Sequence, residues 1–260
     1  MSKLYYILLL FCSQWAVAQA DTYIDLLPYS RWQHSPLAAT VNPAALADAH
    51  QFSAGIYGER RYLLEELGNY RLALALPAAG SCFGLIAGYA GGGPRQNGTL
   101  ALAYARSLGR AQAGLQFGYH SVSIGSYGRY NFISTTVGLL LPLSQGLRAG
   151  FHVVHSAGPP GKQPASVFSA GLGYDASKQF FLGLLISKTE DRAVQVQAGF
   201  EYMPKPQLSV HAGIDAATTL FYFGVGIVLQ QFRLELSAAL HPQLGPTPGM
   251  ALLYPSTFKE

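Results

Sequence analysis

Beyond its first twenty residues the chain has no apolar run near the ~20 residues that a membrane-crossing helix needs, although half of it is hydrophobic. Charge is scarce as well: Asp, Glu, Lys and Arg together make up 12% of the residues, too few for an ordinary soluble surface. Cysteine is scarcer still. Cys12 falls in the N-terminal leader, so Cys82 is left without an intrachain partner and a disulfide framework is excluded. The formal net charge of +4 is scattered along the chain, which leaves no nucleic-acid footprint. His152 and His155 would lie on opposite faces of one strand and cannot share a metal, so neither a metal nor any other cofactor is expected.

What the chain does contain is alternation. Residues 1–20 place Lys3 before an apolar stretch and end in Ala18-Gln19-Ala20, the pattern of a cleaved export signal. From about residue 51 onward, apolar and polar residues alternate. In 193–202, Val194, Val196, Ala198, Phe200 and Tyr202 share one face, while Gln195, Gln197, Gly199 and Glu201 share the other. Nine or ten such residues, tilted, cross a hydrocarbon layer, and only a closed barrel of strands satisfies every backbone group there. About fourteen segments are expected, at 51–58, 69–76, 82–90, 98–107, 111–120, 131–141, 146–155, 166–174, 179–187, 193–202, 207–214, 218–227, 231–240 and 248–254. The even-numbered connections are tight, whereas the first, third, fifth and seventh (59–68, 91–97, 121–130 and 156–165) are longer. Short periplasmic turns and longer outer loops are the asymmetry of bacterial outer-membrane barrels, and an even strand number puts both termini in the periplasm.

Faces follow from the same parity. Phe232, Leu234, Leu236, Ala238 and Leu240 are expected to meet outer-membrane lipid, as are Leu115, Phe117 and Tyr119. Gln112, Gln116 and His120 face the lumen. Polar lumen candidates are Arg71, Arg148, His211, Arg233 and Glu235, which either pair and fill the interior or line a pore. Tyr70, Tyr89 and Tyr119 form one aromatic girdle and Tyr104, Tyr174, Tyr202 and Tyr254 the other. The cluster Glu59-Arg60-Arg61-Tyr62 with Glu65-Glu66 reads as a solvated outer loop, and His152 as a rim histidine. A soluble β-sandwich or lipocalin-like barrel also alternates, but its outer face would be polar.

Residues 21–50 precede the barrel (51–260) and contain Asn42-Pro43-Ala44 followed by Ala45-Leu46. An Asn-Pro-Ala ahead of about fourteen strands resembles the FadL-type hydrophobic-compound transporters and the related PorV/PorQ outer-membrane proteins of type IX secretion. The resemblance implies an N-terminal plug tucked into the barrel, with Asn42, Pro43 and Ala44 near its periplasmic mouth. The chain departs from that pattern in its short outer loops and in Ser30-Arg31-Trp32-Gln33-His34-Ser35-Pro36, which stands where an Ala/Gly-rich region is usual. FadL-type uptake relies on large outer loops. The expectation is therefore a PorV/PorQ-like, non-enzymatic accessory barrel that works with a secretion complex, with passage of a hydrophobic ligand as the alternative. Catalysis ranks last, because adjacent residues such as His120 and Ser121 point to opposite faces and cannot form a dyad.

Overall fold

The computed structural model describes residues 24–158, 164–190 and 192–255; the expected export signal lies outside them. Fourteen antiparallel strands form a closed barrel: β1 (Ser53–Arg60), β2 (Gly68–Ala78), β3 (Ser81–Gly92), β4 (Arg95–Leu108), β5 (Ala111–Ile124), β6 (Arg129–Pro142), β7 (Leu147–Ser156), β8 (Ala165–Ser177), β9 (Phe180–Thr189), β10 (Gln195–Lys205), β11 (Leu208–Asp215), β12 (Leu220–Leu229), β13 (Phe232–His241) and β14 (Gly245–Tyr254). Each overlaps its expected segment. β1 pairs with β14 from Ala54↔Tyr254 to Glu59↔Gly249, so no strand edge is left open. The ladders shift register at two places, Asp175/Ser177 and Tyr202/Lys205, both at the end that carries the tight turns.

Alternation sorts the side chains as parity requires. On β4, Leu100, Leu102 and Tyr104 project outward, Leu102 being 65% exposed, while Ala101, Ala103 and Ala105 between them are buried. The outward face of the other strands repeats this belt, including Phe117, Ile133, Leu236 and Phe223. Such a continuous apolar exterior suits lipid and would be an aggregation surface in water, which places the protein in the outer membrane.

Two outer connections differ from expectation. The third, read as a loop over 91–97, is a two-residue turn at 93–94, because β3 and β4 keep pairing through Gly91↔Gln96 and Gly92↔Arg95. The fifth shrinks to 125–128 as β5 and β6 pair up to Ser123↔Arg129. Here Gly, Asn, Gln, Ser and Arg break the apolar alternation, but backbone pairing does not require apolar side chains. β4, β5 and β6 thus reach fourteen residues each, against eight in β11 and ten in β12, β13 and β14.

The segment before β1 fills the barrel from the end with the tight turns. It consists of three short 3₁₀ helices, Ile24–Tyr29, Pro36–Thr40 and Pro43–Asp48. The last two start alike. Ser35 and Asn42 have extended backbones, each side-chain oxygen accepts the N–H two residues on, and a proline follows whose ring already holds a helical φ. Ile24, Leu37 and Leu46 are buried against wall residues that are mostly small, such as Ala73, Ala75, Cys82, Ala101 and Ala103, while Leu26 and Tyr29 pack with Leu140, Phe181 and Leu185. Each large side chain so buried contributes roughly 1.5–3 kcal/mol to docking. Cys82 serves here as one of the small packing residues.

Candidate functional site: the plug seat and the lumenal cavity

Glycines on the inward face of the barrel seat the plug. A Cβ added to Gly171 on β8 would stand 2.1 Å from the Tyr29 ring, and one on Gly150 of β7 2.7 Å from it. The Asn-Pro-Ala turn lies against β5 and β6. A Cβ at Gly114 would meet the Ala44 nitrogen at 2.3 Å, and one at Gly138 the Asn42 Oδ1 at 2.0 Å. Asn42 is fully buried. Its Oδ1 accepts from Ala44 N at 3.0 Å, and its Nδ2 approaches the Leu139 and Phe151 carbonyls at 3.4 and 3.5 Å. Asn42, Pro43 and Ala44 therefore sit inside the barrel, within a few residues of the tight-turn ends of β5 and β6.

Polar contacts lock the same segment. Arg148 on β7 is buried and donates to both carboxylate oxygens of Asp48, at 2.7 and 3.3 Å, and to the Pro28 and Ser30 carbonyls. Gln112 donates to Asp48 at 2.5 Å. On β8, Asp175 accepts from the Ser30 hydroxyl and the Arg31 N–H, both at 2.8 Å. Arg31 also reaches the Gln145 carbonyl in the turn before β7. His152 is not at the rim, as expected; it is buried, with Nδ1 3.4 Å from the Tyr29 hydroxyl, because its parity points it at the plug. His120 bonds Thr99 and Ser134 within the wall.

The five expected lumen residues fall in three settings. Arg148 belongs to the plug lock. Arg233 joins Glu201, Glu235 and Ser209 at 2.5, 2.9 and 3.0 Å, and His211, the register partner of Glu201, lies over Gly224. Their network lies in the tight-turn half of the lumen beside β10 to β13, and Glu235 also lines the cavity above it. Arg71 faces inward from β2, opposite Tyr57, where its charge acts on Asp25 of the plug.

Above this network a cavity opens toward the long-connection end, with an empty volume of about 810 Å³ including its mouth. Tyr57, Glu59, Arg61, Tyr62, Asp215 and Tyr222 line it, and Ile24 of the plug contributes to its floor. Tyr222 lies flat because Gly199 and Gly213 face it: a Cβ on either would come within 2.1–2.3 Å of its hydroxyl. Glu59 corrects the solvated-loop expectation. β1 continues through Arg60, so Glu59 keeps lumen parity, is buried, and accepts from Tyr57, Arg61 and Asn69 at 2.8, 2.8 and 3.1 Å. A second, smaller cavity, with an empty volume of about 340 Å³ including open space, lies within the plug's own fold, lined by residues including Leu27, Pro28, His34 and Asp48 with Ser53 and Ala75 of the wall. Ile24, at the start of the first 3₁₀ helix, borders the first cavity, and Leu27 and Pro28, further along it, border the second.

Burial pushes the Asp25 carboxyl up to about 7. Arg71 and a hydrogen bond from Gln197 oppose that rise, whereas Asp215 and Glu59 add to it. Asp25, Tyr29, Asp48 and Asp215 were not singled out in the sequence. The sequence held no signal for Asp48: Arg148 has a carboxylate on the neighbouring strand, Asp175, within electrostatic reach, so it did not call for a partner outside the wall.

No protein-family model and no curated protein matches the sequence. Solved structures match in fold. The CymD monoaromatic hydrocarbon channel superposes with a TM-score of 0.61 at 13% identity, covering 86% of this chain and 93% of that one. A deltaS2S3 mutant of the TodX monoaromatic hydrocarbon channel gives 0.63 at 10% identity, covering 92% and 99%. The Pseudomonas putida toluene transporter TodX gives 0.57 at 9%, covering 88% and 95%. These neighbours are channels and transporters, not enzymes or secretion proteins. The chain is thus a fourteen-stranded outer-membrane barrel of the architecture that such channels use, with a plug inside it.

Proposed function

We propose that the protein passes small hydrophobic or amphipathic molecules across the outer membrane, with the segment 24–50 as its gate. The observation that carries this reading is the cavity that opens toward the long-connection end of the barrel and has Ile24 of the plug on its floor. The plug stands between that cavity and the tight-turn end of the barrel, so displacement of the plug would open a path. The fold neighbours, whose names describe hydrocarbon channels, lend support at low identity. The secretion-accessory reading rests on the Asn-Pro-Ala resemblance and on the polar network in the lower lumen.

Flux measurements separate the two. Proteoliposomes holding the wild type should admit a small aromatic such as toluene, and Asp48→Ala, which frees one side of the plug, should raise that flux. Impermeable proteoliposomes with both proteins, together with recovery of a large complex by crosslinking in cells, would overturn the channel in favour of the accessory role.

A further inference from the structure

The outward cavity has chemistry that a hydrocarbon would not use. Its lining and the layer just beneath hold five carboxylates, Glu59, Asp215, Glu235, Asp25 and Glu201, against three arginines, Arg61, Arg71 and Arg233. Asp215 lines the cavity while more than nine-tenths buried. It is held only by amide donors, the Ala217 and Thr218 N–H groups at 2.9 and 3.3 Å and the Gln197 amide at 3.4 Å, with no ion pair among the described residues. Two further acceptors, Asp25 Oδ2 and Gln197 Oε1, have no hydrogen-bond partner among the described residues although both residues are more than nine-tenths buried. Asp25 follows Ile24, which lines the cavity, and is within electrostatic reach of Arg71, Asp215 and Glu59.

A buried carboxylate without an ion pair, as at Asp215, is costly, and a compact cation with several donors relieves it. Around them stand the faces of Tyr57, Tyr62 and Tyr222, surfaces that attract an ammonium, and the apolar Leu220, Ala238 and Ala251. We propose that this cavity binds small amines, with the ammonium among Glu59, Asp215 and the tyrosines and an aromatic or short aliphatic body against the apolar wall. The proposal deepens the channel reading and rests on it for passage, though not for binding. An anion of fatty-acid type meets like charge here, and a plain hydrocarbon leaves the acceptors unanswered.

Three probes of one size test it: 2-phenylethylamine, 2-phenylethanol and 3-phenylpropionate, titrated calorimetrically into the detergent-solubilised protein at pH 7.5. The amine should bind at least tenfold more tightly than the alcohol, and the carboxylate should bind least. Asp215→Asn with Glu59→Gln should erase the preference for the amine. Gly213→Val, which drives the Tyr222 hydroxyl off the wall without removing a charge, should weaken amine and alcohol alike in a barrel that still shows the mobility of the folded form on unheated gels. Equal binding of amine and alcohol, tightest binding of the carboxylate, or no binding of any probe would overturn the proposal. Flux of the same probes keeps the two readings apart. Amine binding with no probe crossing supports the site and sinks the channel, whereas equal crossing without amine preference does the reverse.

Discussion

The two sides of the lumen are built from different residues and do different things. From β5 through β8 the inner wall is a row of glycines and small residues that lets Tyr29 and Asn42-Pro43-Ala44 approach the backbone, with Arg148 and Asp175 pinning what has been seated. From β10 round to β1 the wall carries Glu201, Asp215, Tyr222, Glu235, Tyr57 and Glu59; the plug meets it through Ile24, Asp25 and Leu26 and, at β1, through Pro36 and Leu37 against Gly55. One side holds the plug. The other keeps space open next to it. A plug fixed on one flank and loosely met on the other can hinge without leaving the barrel.

Breaking the lock should have the largest effect. Arg148→Met strands Asp48 inside the seat with only Gln112 and a 4.0 Å approach from His34, and losing one partner of a buried pair costs about 3–5 kcal/mol. Tryptic cleavage after Arg31 should become fast, and the double variant Arg148→Met, Asp48→Leu should recover much of the protection. If Arg148→Met is as protected as wild type, the lock is not what holds the plug.

Overpacking the seat should cost less, about 1–3 kcal/mol. Gly171→Val collides with the Tyr29 ring, whereas Gly98→Ala, whose new Cβ would find its nearest neighbour at 4.0 Å, should be silent. Equal protease protection in these two variants would remove the seat from the comparison.

The smallest effect sharpens the open side. A released Asp25 has an ordinary carboxyl near 3.9, and the seated one sits near 7, so the seated plug keeps a proton that the released plug gives up. Seating is therefore strongest below about pH 4, weakens as pH rises toward 7, and levels off above it. Between pH 6 and 8 the plug's protection should fall roughly tenfold, about 1.4 kcal/mol, and Asp25→Asn should flatten the curve. A wild-type profile without slope over that range would show that Asp25 does not sense release.

Strand number, order and facing were legible because lipid imposes the same alternation on every strand: Leu236 out and Glu235 in need no knowledge of the partner strand. Asn42-Pro43-Ala44 was legible as a plug turn through a family resemblance; the local chemistry that shapes it, an Asn cap followed by proline, came with the structure. The rest depends on register across the lumen. Nothing near Arg148 in sequence names Asp48, a hundred residues away, and Glu59 looked like loop because Arg60 and Arg61 follow it. Gly171 reads as filler until the tyrosine it admits is in place.

The unequal strand lengths give the barrel a slanted brim. Fourteen residues at about 3.4 Å each, tilted about 40°, climb roughly 36 Å, whereas ten climb roughly 26 Å, scarcely more than the ~25 Å apolar band of an outer-membrane barrel. The tall side is β4 to β6, and the low side is β11 to β14, where the cavity has its mouth. A molecule resting among the lipid head groups meets that mouth at its own depth and steps over the low lip, while one arriving from water on the opposite side faces a parapet about 10 Å high.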